Sequence, residues 1–119
     1  MTKKKWAAKI TEACKDAGTY RPFFDDIICT LAEILERRDK AERIFRQSGG
    51  NVIITHTNRA GATNLEQNPA LRLINDLNRD ALAYWRDLGL TPAGLKKINE
   101  DAMKRRKRSA LAEALEGLG

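Results

Sequence analysis

Val52-Ile53-Ile54-Thr55-His56-Thr57, then Asn58-Arg59-Ala60-Gly61, then Ala62-Thr63-Asn64-Leu65 and on to Asn68-Pro69, interrupt a chain otherwise patterned for helices. The first six residues are short and rich in β-branched side chains, the pattern of a strand. Asn58 to Gly61 can turn the chain. Residues 62–65 are then expected to return as a second strand, giving a β-hairpin near 52–65. An isolated two-stranded hairpin is marginal in water, so this one is expected to pack on the helices or on a neighbouring subunit. Asn68 and Pro69 suit the N-cap and first position of the helix that follows.

Upstream, Trp6, Ala7, Ile10, Ala13, Cys14 and Ala17 recur at spacings of three and four, one apolar helical stripe closed by Gly18. Thr19-Tyr20-Arg21-Pro22 opens a second helix, predicted from about residue 22 to 47. Asp25 and Asp26 fall in its first turn, where carboxylates favour the positive end of the helix dipole. Adjacent helical positions point about 100° apart, so this pair is not a natural two-carboxylate site. A helix of that span is ~39 Å long, against a radius of gyration of ~13.5 Å for a compact chain of this size. It must project or lie along a partner, which is the reason to expect oligomers. Downstream, Leu73, Leu77, Ala81, Tyr84, Trp85 and Leu88 make a third helix closed by Gly89. Thr91-Pro92 opens a fourth, through Leu95, Ile98 and Ala102. The short turn between them permits a helix-turn-helix, although helical hairpins share that layout.

The 119 residues suffice for one domain. The fold class expected is mainly α, with long α-hairpin elements and one short β-hairpin. Lys and Arg number 22 against 16 Asp and Glu, a net charge of +6, which favours an anionic partner, nucleic acid before membrane. No apolar run approaches the ~20 residues of a membrane span. No apolar segment follows basic Lys3-Lys4-Lys5, so no secretory signal is expected. Cys14 and Cys29 lie among apolar neighbours, form no CxxC and read as two reduced core thiols. There is no GxxxxGK[ST] loop for a nucleotide. The acids are scattered along amphipathic helices. The one histidine, His56, alternates along a strand and reads as a structural hydrogen-bonding residue. No enzyme, cofactor or metal is expected.

Lys104-Arg105-Arg106-Lys107-Arg108 is the strongest charge feature, five cations with no acid between them. On a helix they spread around the cylinder and cannot all pair locally. Such a run suits phosphate neutralisation with counterion release. Lys96 and Lys97 extend it, and Lys3, Lys4 and Lys5 form a second, weaker patch. These ten residues are the candidate DNA contacts. Residues 1–103 are read as a helical domain and 104–119 as a basic C-terminal tail, a weak Ala/Leu helix in its second half.

Three segments together resemble one family: Gly18-Thr19-Tyr20-Arg21-Pro22-Phe23, His56 to Asn64 running to Asn68-Pro69, and Leu88-Gly89-Leu90-Thr91-Pro92. They are similar to the P27 family of phage terminase small subunits, over roughly residues 18–98. The resemblance implies a non-enzymatic DNA-packaging protein in the host cytoplasm. It implies a homo-oligomeric ring that binds double-stranded viral DNA and hands it to the large terminase subunit, the carrier of the ATPase and nuclease. Members often have an Arg shortly after the Thr-Pro, where this chain has Gly94, Leu95 and Lys96. The competing expectation is a dimeric helix-turn-helix regulator using residues 71–98.

Overall fold

The computed structural model describes residues 1–118, in the order α1 (Lys3–Ala17), a 3-10 turn (Pro22–Phe24), α2 (Asp25–Gln47), β1 (Ile53–Thr57), β2 (Thr63–Gln67), α3 (Pro69–Asp87) and α4 (Pro92–Leu118). The mainly α fold with one β-hairpin is as the sequence implies. Thr2 caps α1 by accepting from the Lys5 amide, and Gly18 ends it in a left-handed conformation. Pro22 starts the 3-10 turn rather than α2 itself. Helix α2 therefore begins three residues later than expected, with Asp25 and Asp26 still in its first turn.

Helices α1 and α3 both pack against α2, and both run antiparallel to it. The α1 register is set by Lys3 Nζ on Glu33 at 2.7 Å and by Trp6 Nε1, which donates to Asp39 Oδ2 at 2.7 Å. The α3 register passes through Arg38 Nη1, which donates to Asn78 Oδ1 at 3.4 Å. Between the three helices lie Ile10 and Cys14 of α1, Ile28, Leu31, Ala32, Ile34 and Leu35 of α2, and Ala81 and Leu88 at the α3 end. Each fully buried Leu or Ile contributes about 1.5–3 kcal/mol relative to exposure. Cys29 departs from expectation. It sits on the outer side of α2 and is exposed, while Cys14 is buried.

The hairpin is in register from Ile53 opposite Gln67 to Thr57 opposite Thr63, two residues further toward α3 than predicted. Its turn is organised by Asn58, whose Oδ1 accepts from the amides of Ala60 and Ala62, both at 3.0 Å. Its base is closed by Asn68, whose amide donates to the Val52 carbonyl at 2.8 Å and whose Nδ2 donates to the Asn51 carbonyl at 2.9 Å. Of the two expected surfaces, the helices cover little of the hairpin, its Glu66–Gln67 end lying beside Arg72 and Leu73 of α3. Val52, Ile53 and Leu65 are exposed, Leu65 to 75%, and Ile54 is half-buried. The antiparallel ladder, with local hydrogen bonds at its two ends, holds the strands together.

Helix α4 also differs from expectation. The basic run and the Ala/Leu segment belong to one unbroken helix of 27 residues, ~40 Å long. Leu95, Ile98 and Ala102 are half-buried, and from Met103 to Gly117 every residue is exposed. The radius of gyration is 22.1 Å and the principal extents are 84 × 28 × 20 Å. The hairpin lies where α2 gives way to α3, and α4 leaves from the opposite end.

Candidate nucleic-acid interface

The end from which α4 departs is a tight junction. Thr19, buried in the turn after α1, donates from Oγ1 to the Leu88 carbonyl at 2.9 Å. Gly89 follows with φ +75°, and a Cβ there would stand 2.7 Å from Ile98 Cδ1 and 2.8 Å from Thr19 Cγ2. Only glycine satisfies both the left-handed backbone and the close approach. Thr91 Oγ1 accepts from the Gly94 amide at 3.1 Å, capping α4. Gly94 lies against the α3 backbone, where a Cβ would meet the Arg86 carbonyl oxygen at 2.1 Å. Two segments that resemble the family, Gly18–Phe23 and Leu88–Pro92, thus meet in space.

All five side chains from Lys104 to Arg108 are exposed, and none has a carboxylate within 4.0 Å among the described residues. Successive positions are turned by ~100°. Lys104 and Arg108 therefore share the face of Lys97, Lys107 shares that of Lys96, and Arg105 flanks the side of Ile98 and Ala102. Arg106 lies opposite Lys97, on the side of Ala102. Lys96 stands 3.9 Å from Glu100, an exposed i,i+4 pair of little energetic weight. Among the described residues Lys97 has no ion pair, and it lines a cleft with Arg86.

The N-terminal lysines are placed differently. Lys4 and Lys5 are exposed and have no ion pair among the described residues, but Lys3 is held by Glu33. The hydrogen bond and charge of Glu33 raise the Lys3 pKa, and Lys3 lowers that of Glu33 by the same contacts. The start of α1 lies against Glu33–Asp39, whereas α4 leaves beside the start of α2. The length of α1, ~22 Å, separates the two ends. The structure therefore does not gather Lys3, Lys4 and Lys5 with the α4 cations.

Three residues outside the sequence-derived candidates stand at the junction: Arg21, Phe23 and Arg86. Arg21 and Phe23 line a cleft of about 430 Å³ together with Arg105 and Arg106 of α4. Periodicity gives no sign of this, because Arg21 and Phe23 sit in a turn whose Pro22 reads only as a helix start. His56 Nδ1 lies 3.6 Å from Glu66 Oε1 on the hairpin, with both side chains solvated. No group of three or more His, Cys, Asp or Glu able to hold a metal occurs among the described residues. No helix of the described residues is long and apolar enough to cross a membrane.

The perturbed groups have structural causes. Burial raises the Cys14 thiol, partly offset by a hydrogen bond with Thr19. Burial also pushes Asp39 upward, but hydrogen bonds from the N-terminal ammonium, Trp6 and Arg38 outweigh it, and the net shift is downward. Asp39 thereby clasps α1 to α2.

The helical framework, the hairpin and the projecting basic helix define an elongated, mainly helical protein. Residues 2–105 match the family described as phage terminase, small subunit, and the chain belongs to it. Membership makes it a non-catalytic subunit. The match ends inside the basic run, at Arg105. No curated protein and no solved structure matches the chain significantly.

Proposed function

We propose that this small subunit binds double-stranded viral DNA through α4 and delivers it to the large terminase subunit as a homo-oligomeric ring. One observation carries the reading: five cations, exposed and free of ion pairs among the described residues, stand on a helix that projects from the core. Cations already desolvated by carboxylate partners gain little from phosphate, whereas these release counterions on contact. Family membership supports the packaging role, and the 84 Å subunit, with apolar side chains exposed on its hairpin, supports association between copies. Lys97, Lys104 and Arg108 share one face of α4 and form the central contact. Lys96 and Lys107 lie beside it, and Lys4 and Lys5 make a separate, weaker contact.

The helix-turn-helix reading has less support. A recognition helix presents its N-terminal residues to base edges. Here that turn is Pro92-Ala93-Gly94, with Gly94 buried against α3 and no base-reading side chain among the three.

The decisive measurement is native mass spectrometry at micromolar concentration together with DNA binding across a salt series. The expected result is a large closed oligomer whose affinity falls steeply with salt. A monomer overturns the ring. A salt slope unchanged after Lys104, Lys107 and Arg108 are replaced by Ala overturns the role of α4, because each lost phosphate contact removes ~0.9 from it.

A further inference from the structure

We infer that the cleft between the α1–α2 turn and α4 is a second DNA contact, which holds one backbone phosphodiester and lays the adjoining deoxyribose against Phe23. This rests on the proposed DNA-binding reading and adds Arg21 and Phe23 to it. The cleft, about 430 Å³, brings Arg21 from the turn to Arg105 and Arg106 from α4. A neighbouring cleft of about 450 Å³ carries Arg86 and Lys97, and the two share Asp87 and Asp101. Five cations thus surround two carboxylates. None of the seven takes part in an ion pair within 4.0 Å among the described residues. The Arg21 guanidinium donates only to the Tyr20 carbonyl beside it, at 2.7 Å.

Such a surplus of unpaired guanidinium groups suits a phosphodiester. Its two anionic oxygens match the planar fork of arginine better than an ammonium. The volume lies within the ~300–1,000 Å³ of small-ligand sites, enough for one nucleotide unit. Phe23 supplies the second half of the argument. It is 73% exposed, an unusual state for an aromatic ring. Yet it is held, edge-on to Phe24 at 4.7 Å and 76°, in the 3-10 turn begun by Pro22. A rigid exposed ring beside phosphate-binding side chains offers an apolar face to the deoxyribose that adjoins the phosphate.

The test uses the full chain and a labelled DNA duplex, with affinity measured by fluorescence anisotropy from low to high salt. Arg21→Ala is expected to lower the slope of log affinity against log salt by ~0.9, while Arg21→Lys keeps it. Phe23→Ala is expected to weaken binding about fivefold, the loss of apolar burial against one sugar, with the slope unchanged. Both residues are exposed, and far-UV circular dichroism checks that the variants fold. An Arg21→Ala variant with the wild-type slope overturns the inference whatever Phe23 does. If Lys104, Lys107 and Arg108 prove necessary in the same assay, only the cleft falls. If the unaltered chain fails to bind DNA, the proposed function falls with it.

Discussion

Gly94→Ala adds one methyl group at the crossing of α3 and α4, and the geometry sets its cost. The new Cβ would stand 2.1 Å from the Arg86 carbonyl oxygen, 2.9 Å from its carbonyl carbon and 3.1 Å from its Cα. Ordinary carbon–oxygen contacts begin near ~3.3 Å, so the helices must part by about 1.2 Å. No flexible side chain can absorb this, because every opposing atom is backbone. Overpacking costs about 1–3 kcal/mol, and a backbone partner places this site at the upper end. Alanine returns up to ~1 kcal/mol through helix propensity, since Gly94 has ordinary helical dihedrals. The net expectation is a loss of about 2 kcal/mol, or ~8 °C in Tm for a chain of this length. Urea titration followed by far-UV circular dichroism measures it. Gly117→Ala, with open space around its site, is the matched control and should not destabilise. A Gly94→Ala protein as stable as the parent refutes the reasoning that close backbone contact fixes the departure of α4.

Three further outcomes are expected. Thr19→Val leaves the buried Leu88 carbonyl without its 2.9 Å donor and should cost about 1–3 kcal/mol in the same titration. Cys29 should react at once with a thiol reagent such as dithionitrobenzoate while Cys14 waits for unfolding, so the native protein should show one fast thiol and one slow. Because the folded pKa of Asp39 lies below its ordinary 3.8, its contribution is fully present above that value and lost as pH falls through the lowered one. Asp39→Asn should therefore be less stable than the parent at neutral pH, by about 1–3 kcal/mol, with the gap closing in acid below pH 3.8. A gap independent of pH would show that the charge of Asp39 contributes nothing to the clasp.

Local signals carried the framework well. Apolar spacing identified α1 to α3, and Gly18, Asn68-Pro69 and Gly89 marked their ends because caps act within one turn of chain. The hairpin was legible from its β-branched run, but its ladder extends to Gln67, beyond the reach of propensity. Its lack of a helical platform was not legible, since nothing in Ile53 or Leu65 says which surface will cover them. Cys29 was misplaced for a related reason: an apolar stripe is broad, and α2 meets α1 and α3 on only part of its circumference. The basic run was evident from composition alone. Its union with the Ala/Leu segment into one helix was not, because a charge run looks like a boundary and like-charge repulsion at i,i+4 offsets the helix propensity of Lys and Arg. Arg21 and Phe23 escaped notice because only tertiary structure brings a turn beside a helix 84 residues further along.

Helix α4 buries no residue from Met103 to Gly117, and that has a thermodynamic consequence. Its backbone hydrogen bonds are open to water, and the like charges of Lys104 and Arg108, four residues apart, repel along one face. Helicity there depends on propensity alone, so it should be the first part of the chain to exchange its amide hydrogens. An anion laid along that face removes the repulsion and tightens the helix. The segment proposed to meet DNA is thus also the one whose order is most sensitive to salt, and binding and helix formation become a single coupled equilibrium.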